Sequence, residues 1–223
     1  MKPNINSNIA IIGVPLDLGA GTRGVNLGPD AIRYAGVEER LKNIGYNVED
    51  LGDIPVNRSQ AVTEPNSNLK NLNVISEVNS LLSEKVFSVM SEGKFPLVLG
   101  GDHSIAIGTI SGVLKYKKSL GVIWFDAHGD INTPETSPSG NIHGMPVAVL
   151  LGLGDKSLTK IVGENNFLKK ENLGGIAFFV LGYDNGEIVS KYHSIKKQNK
   201  KPEKVIEEPS DWRVQKYFPS YRP

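Results

Sequence analysis

Pro96-Leu97-Val98-Leu99-Gly100-Gly101-Asp102-His103-Ser104 is an apolar run without alternation, broken by two glycines and followed at once by a carboxylate, an imidazole and a hydroxyl. A short continuous apolar run ending in a breaker reads as a strand buried on both faces, and such strands belong to parallel sheets covered by helices. On its N-terminal side, Val74, Ile75, Val78, Leu81, Leu82, Val86, Phe87 and Met90 recur at spacings of three and four between Asn71 and Glu92. That spacing predicts a helix of about five turns. On its C-terminal side, Ile105 to Tyr116 reads as a helix and Gly121-Val122-Ile123-Trp124-Phe125 as a second continuous apolar strand. Further out, Ile9 to Val14 is a compact strand, Pro29-Asp30-Ala31-Ile32-Arg33 opens a helix, and Tyr46 to Leu51 alternates as a short strand. Strands alternating with helices predict an α/β protein with a mostly parallel central sheet in three α/β/α layers. Its ligand site is expected beyond the carboxyl ends of the strands.

The composition narrows the chemistry. The chain has 223 residues, 39% hydrophobic and 22% charged, enough for a sizeable core in one domain or two small ones. Lys+Arg number 25 against 24 Asp+Glu, a formal charge of +1 that gives no global reason to expect nucleic acid or an anionic membrane as partner. There are no cysteines, which excludes disulfides, thiolate metal sites, iron–sulfur clusters and a Cys nucleophile. A tightly held metal must therefore use His nitrogen or carboxylate oxygen. Met1 to Asn8 has no signal-peptide pattern, and the apolar-plus-glycine runs at 147–154 and 174–182 fall far below the ~18 residues of a spanning helix. A cytoplasmic protein is the expectation. After about residue 165 the character changes: nine Lys/Arg against four Asp/Glu lie between Lys191 and Pro223, interrupted by four prolines. The expected organisation is an α/β domain over 1–165 and a divergent basic tail over 166–223, partly disordered, in which 174–182 could still form a strand.

Three of the four histidines lie between residues 103 and 143, each beside a glycine-containing turn. Asp126-Ala127-His128-Gly129-Asp130 directly follows an apolar strand. If the strand continues, Asp126, His128 and Asp130 have period-two spacing and point to one side. Oxygen-rich donors with some imidazole suit Mn²⁺ and can hold Fe²⁺, Co²⁺ or Zn²⁺. A carboxylate between two ligands can bridge two metals, and a pair ~3.5–4 Å apart generates hydroxide from water and clamps the group under attack.

Taken together, several motifs resemble the ureohydrolase family, and within it bacterial arginases. They are Gly13-Val14-Pro15-Leu16-Asp17-Leu18-Gly19, Arg23 to Arg33, Asp50-Leu51-Gly52-Asp53-Ile54-Pro55, Leu99 to Ser104, Asp126 to Asp130, Asn132-Thr133-Pro134 and Ser137 to Pro146. The likeness is near-continuous from residue 8 to about 160. It implies hydrolysis of L-arginine to L-ornithine and urea by a hydroxide bridging two Mn²⁺ ions, in a homo-oligomer, trimer or hexamer. His103, Asp126 and Asp130 match the ligands of one Mn²⁺. Asp126 and His128 match ligands of the other, with Asp126 bridging. His143 matches the proton-shuttle histidine, whose ordinary pKa range suits protonation of a leaving amine. Asn132, Ser137, Ser139 and Asn141 match the loop that holds the substrate α-carboxylate, which favours arginine over agmatine.

The chain also departs from that pattern. The family's Ser-x-Asp-x-Asp-x-x-x-x-Pro signature, which supplies further carboxylates to both metals, is missing: after Asp130 the only aspartates are Asp155, Asp184 and Asp211. Leu181-Gly182-Tyr183-Asp184-Asn185-Gly186-Glu187 is at best a shortened echo of a later acidic region, and on that alignment Asp184 and Glu187 would face the substrate α-amino group. The expectation is a fold incomplete on its C-terminal side, such as a frameshift or early stop would produce, with an incomplete second metal site. The rival readings are an inactive fragment and a family member acting on agmatine or another guanidino compound.

Overall fold

The structure, a computed structural model, describes residues 7–63, 67–126, 128–164, 166–174, 178–184 and 187–193, with side chains as far as residue 173. The basic segment from residue 194 onward, and the side chains of Asp184 and Glu187, lie outside the described residues. The chain divides into two units, Met1–Leu120 with Asp130–Lys170, and Gly121–Gly129 with Glu171–Pro223.

The first unit is built on β1 (Asn8–Val14), in which every residue after Asn8 is buried. A strand this apolar must be covered on both faces, and it lies at the centre of the sheet. The chain then forms α1 (Gly28–Tyr34), α2 (Val37–Asn43), β2 (Asn47–Asp53), α3 (Leu72–Ser91), β3 (Phe95–Gly100) and α4 (Ala106–Tyr116). Strand order is β2-β1-β3, all parallel, with Asn8 opposite Asn47 and Val14 opposite Gly100. The first crossover places β2 on one side of β1 and the second places β3 on the other. The carboxyl ends of β1 and β3 thus open side by side where the winding reverses, the usual location of ligands in such sheets.

α3 buries Val74, Ile75, Val78, Leu82, Val86 and Val89 on one arc. Leu81 and Phe87, expected on that face, are 42% and 37% exposed because they flank the arc at 100° per residue. The buried Asn79 is satisfied within the packing: its Nδ2 donates to Ile75 O (2.9 Å) and its Oδ1 accepts from Gly108 N in α4 (2.7 Å). α1 is tied to the sheet by Arg33, whose Nε and Nη2 donate to the two oxygens of Asp50 (2.7 and 2.9 Å) and whose Nη1 donates to Asp53 Oδ1 (2.6 Å). The hydrogen bonds from Arg33 hold the Asp50 carboxyl below its ordinary range, against the opposing effect of partial burial.

Two later helices complete this unit. α5 (Pro146–Leu150) starts on a proline, and α6 (Lys156–Val162) starts where Asp155 Oδ1 accepts from Ser157 N (2.7 Å). Both buried apolar faces were readable from Val147–Leu150 and from Leu158, Ile161 and Val162, but the sequence reading assigned neither helix.

In the second unit β4 (Val122–Ile123) pairs in parallel with β5 (Leu173–Gly174), and β6 (Phe178–Asp184) pairs antiparallel with β7 (Glu187–His193). Of the strand expected over 121–125, Val122–Ile123 forms the ladder with β5, and Trp124 and Phe125 have left it. Asp184 stands opposite Glu187 at the close of the β6–β7 ladder. No helix among the described residues is long and apolar enough to cross a membrane.

Candidate metal centre

Two loops leave the carboxyl ends of β1 and β3, and their backbone fit is what positions the site. After β1, the buried Asp17 accepts from Arg23 Nε (3.0 Å), from Gly24 N (3.3 Å) and from the Arg58 guanidinium, which also donates to Pro15 O (2.7 Å). Burial alone would raise the Asp17 pKa; the hydrogen bonds from Arg58, Gly24 and Arg23 outweigh it and hold the carboxyl below its ordinary range. After β3, Asp102 N donates to Leu16 O (2.7 Å). The Asp102 carboxylate then accepts from Gly19 N (2.8 Å), from Ser104 N (3.0 Å) and from the Ser104 hydroxyl. It thereby caps a 3-10 turn, His103–Ile105, and binds that turn to the β1 loop. Gly19 must be glycine here, since a Cβ would stand 2.7 Å from both Asp102 Oδ1 and Ser104 Oγ.

That turn presents His103, whose Nδ1 lies 2.8 Å from Asp130 Oδ2. Asp130 has φ 44°, a left-handed conformation that Asp tolerates better than most residues, and its carbonyl accepts from Val147 N (2.9 Å) at the start of α5. The Asp130 side chain is only 8% exposed, and no lysine or arginine of the described residues pairs with it. A buried carboxylate facing an imidazole nitrogen, with no organic cation beside it, is a donor pair suited to a divalent metal ion.

In the second unit, Asp126 Oδ1 accepts from His128 N (2.8 Å) and lies 3.1 Å from His128 Nδ1. This corrects the expectation that Asp126, His128 and Asp130 alternate along a continuing strand. The side-chain bond to the backbone two residues on bends the chain, and the left-handed Asp130 turns it again.

His143 sits in a second 3-10 turn, Ile142–Gly144, and its backbone N donates to Gly19 O (3.1 Å). Gly19 therefore joins the His103 turn through its N–H and the His143 turn through its carbonyl. Of the loop before it, Asn132 N donates to Gly144 O (3.1 Å) and its Oδ1 accepts from Thr136 Oγ1 (3.2 Å). Ser137 is buried and its Oγ accepts from Gly140 N (3.0 Å), a brace within the loop, and Ser139 Oγ accepts from Asn141 N (3.2 Å). Asn141 Oδ1 accepts from Lys70 Nζ (3.1 Å). The loop rests on Asn68, whose Nδ2 donates to Ser137 O (2.9 Å) and to Pro134 O. The sequence reading singled out none of Gly19, Asn68, Asp102 and Lys70 as site residues. Only for Asp102 was there a local signal, an acid two residues ahead of a serine at a strand–helix junction.

The profile of the arginase family matches residues 7–199. The chain belongs to the arginase family. It is 54% identical over 188 residues to the arginase of Bacillus caldovelox and 57% identical over 169 residues to that of Bacillus subtilis. These alignments cover 84% and 76% of this chain but only 60% and 56% of the relatives, so the chain spans little more than half their length. Among solved structures, the Bacillus caldovelox arginase superimposes with a TM-score of 0.70 at 56% identity, covering 74% of this chain and 56% of the other. An Entamoeba histolytica arginase in complex with L-ornithine superimposes with a TM-score of 0.68 at 36% identity, covering 75% of this chain and 56% of the other. The α/β fold with a parallel sheet and covering helices, read from the sequence, is thus the arginase-family fold.

Proposed function

We propose that the site of this arginase-family chain is built for hydrolysis of L-arginine to L-ornithine and urea, with manganese as its metal. His103, Asp126 and Asp130 would hold one ion, and Asp126 with His128 would contribute to a second. Such ions, when bound, activate water and stabilise charge on the group under attack. The remaining work falls to the chain's own side chains. The imidazole of His143, held on the same Gly19 hinge as the His103 turn, delivers a proton to the leaving amine. The amide of Asn141 and the hydroxyl of Ser139 orient the substrate carboxylate, while Ser137 and Asn132 hold their loop in shape, and Asp184 and Glu187 are the candidates for its α-amino group. A cytoplasmic location and a homo-oligomeric assembly go with this reading, as does a role in arginine breakdown and the urea cycle; no nucleic acid or membrane partner is part of it.

The observation that supports it best is the approach of the His103 imidazole to the buried Asp130 carboxylate at the carboxyl end of the sheet, with no lysine or arginine of the described residues paired to it. The test is urea release by the purified protein with added Mn²⁺, with metal content measured alongside and agmatine as the competing substrate. Turnover of arginine in preference to agmatine supports the proposal, and turnover of agmatine alone overturns it. A second reading, a chain that binds arginine without turning it over, is favoured by one observation: the 223 residues contain no Asp-x-Asp carboxylate pair. Bound arginine with no urea released would select it.

A further inference from the structure

We propose that Lys70 is a specificity-determining residue of this site, an exposed ammonium that selects substrates carrying an α-carboxylate. The inference deepens the proposed function and rests on it. Lys70 lies in the short segment that docks along the 134–141 loop. On one side of it Asn68 Nδ2 donates to Ser137 O (2.9 Å), and on the other Asn71 Nδ2 donates to Leu18 O (3.0 Å) in the β1 loop. Lys70 itself is fixed by its backbone, whose N donates to Gly140 O (3.0 Å). Its ammonium then donates to Asn141 Oδ1 (3.1 Å).

That contact does two things. It occupies the acceptor of the Asn141 amide, so the amide is left to act through its Nδ2 donors. It also places a full positive charge one hydrogen bond away from those donors. No carboxylate of the described residues neutralises Lys70, which is exposed to solvent. Gly21 lies against the same amide and leaves its donors uncrowded, since a Cβ there would stand 2.9 Å from Asn141 Nδ2. An amide N–H donor and an adjacent ammonium are the elements of a carboxylate site, and two charge-assisted contacts distinguish such a ligand from one lacking the carboxylate. Arginine and agmatine differ in that group alone.

The test is calorimetric binding of L-arginine and of agmatine to the Mn²⁺-treated chain, for the unaltered protein, Lys70→Met and Lys70→Arg, at low and at raised salt. Lys70→Met should weaken arginine binding by about tenfold, the loss of one exposed charge-assisted contact, and leave agmatine binding unchanged. It should also remove the salt dependence of arginine binding, whereas Lys70→Arg should keep both affinity and salt dependence. If the unaltered chain prefers arginine and Lys70→Met binds it equally well, the role of Lys70 is overturned while the proposed substrate stands. If the unaltered chain shows no preference for arginine over agmatine, the proposed substrate falls and the Lys70 inference with it. Circular dichroism of the variants, expected to match the unaltered chain, separates loss of binding from loss of fold.

Discussion

A single hydrogen atom at Gly19 decides whether the two histidine turns can share one hinge. Replacing it in Gly19→Ala puts a methyl group 2.7 Å from Asp102 Oδ1 and Ser104 Oγ, both in a packed environment that cannot retreat freely. Overpacking of this kind costs about 1–3 kcal/mol, so the urea midpoint should fall accordingly. Because Gly19 also accepts from His143 N, the same substitution should weaken Mn²⁺ binding and shift the His143 ring resonances together; stability loss with both unchanged would separate the hinge from the site. Asp102→Asn is the complementary change. It keeps the shape but removes the charge that accepts from Gly19 N and Ser104 N, and should destabilise the fold by about 1–2 kcal/mol in the same urea titration.

The Arg33 fork shows how one side chain holds an element. It joins α1 to β2 through both oxygens of Asp50 and one of Asp53. Lowered carboxyl pKa values in the folded chain, at Asp50 by Arg33 and at Asp17 chiefly by Arg58, set the sign of the pH dependence. Both groups bind protons more weakly when folded than when unfolded. Their stabilisation is therefore fully present above the unfolded carboxylate pKa of about 4 and is lost as pH falls through the lower folded values. Stability from urea unfolding should therefore decline as pH falls below about 4. Arg33→Met should lower stability at pH 7 by about 1–3 kcal/mol and flatten that acid slope, and an unchanged slope would show that Asp50 draws its low pKa from elsewhere.

For the molecule as a whole, donor count governs the metal. Three protein ligands are proposed for one ion and two for the other, and the 223 residues offer no Asp-x-Asp to make up the difference. Mn²⁺ titration of this polypeptide followed by metal analysis should therefore give weak binding near one equivalent. His128→Ala should disturb it less than Asp126→Asn, since Asp126 is assigned to both positions. Two tightly held equivalents would mean that another carboxylate completes the pair, with Asp184 and Glu187 the first to mutate. With only one ion in place, nucleophile generation and charge stabilisation both suffer, each worth several kcal/mol, and every 1.36 kcal/mol is tenfold in rate. Arginine turnover by this polypeptide should accordingly be orders of magnitude below that of a chain holding both ions.

The sequence by itself determined β1, β3, α3 and α4, because runs such as Ile9–Val14 and the three-and-four spacing after Asn71 leave a chain little choice about which face to bury. It determined the parallel α/β class for the same reason, and it marked His103, Asp126, His128 and Asp130 as candidate metal ligands, because that chemistry needs such side chains near strand ends, while His143 was marked by its match to the family's proton-shuttle histidine. It overextended the strand after Gly121, which is a strand only at Val122–Ile123, and straightened the Asp126–Asp130 run, since a bend is set by an Asp side chain capturing its own backbone. Only the tertiary structure decided how the pieces are held together. Gly19 binds the His103 turn to the His143 turn, Asn68 props the 134–141 loop, and Lys70 meets Asn141 across 71 residues of chain. These contacts join groups far apart in sequence through single hydrogen bonds, and no local pattern of residues encodes such a partner; it exists only once the sheet has brought the loops to one end.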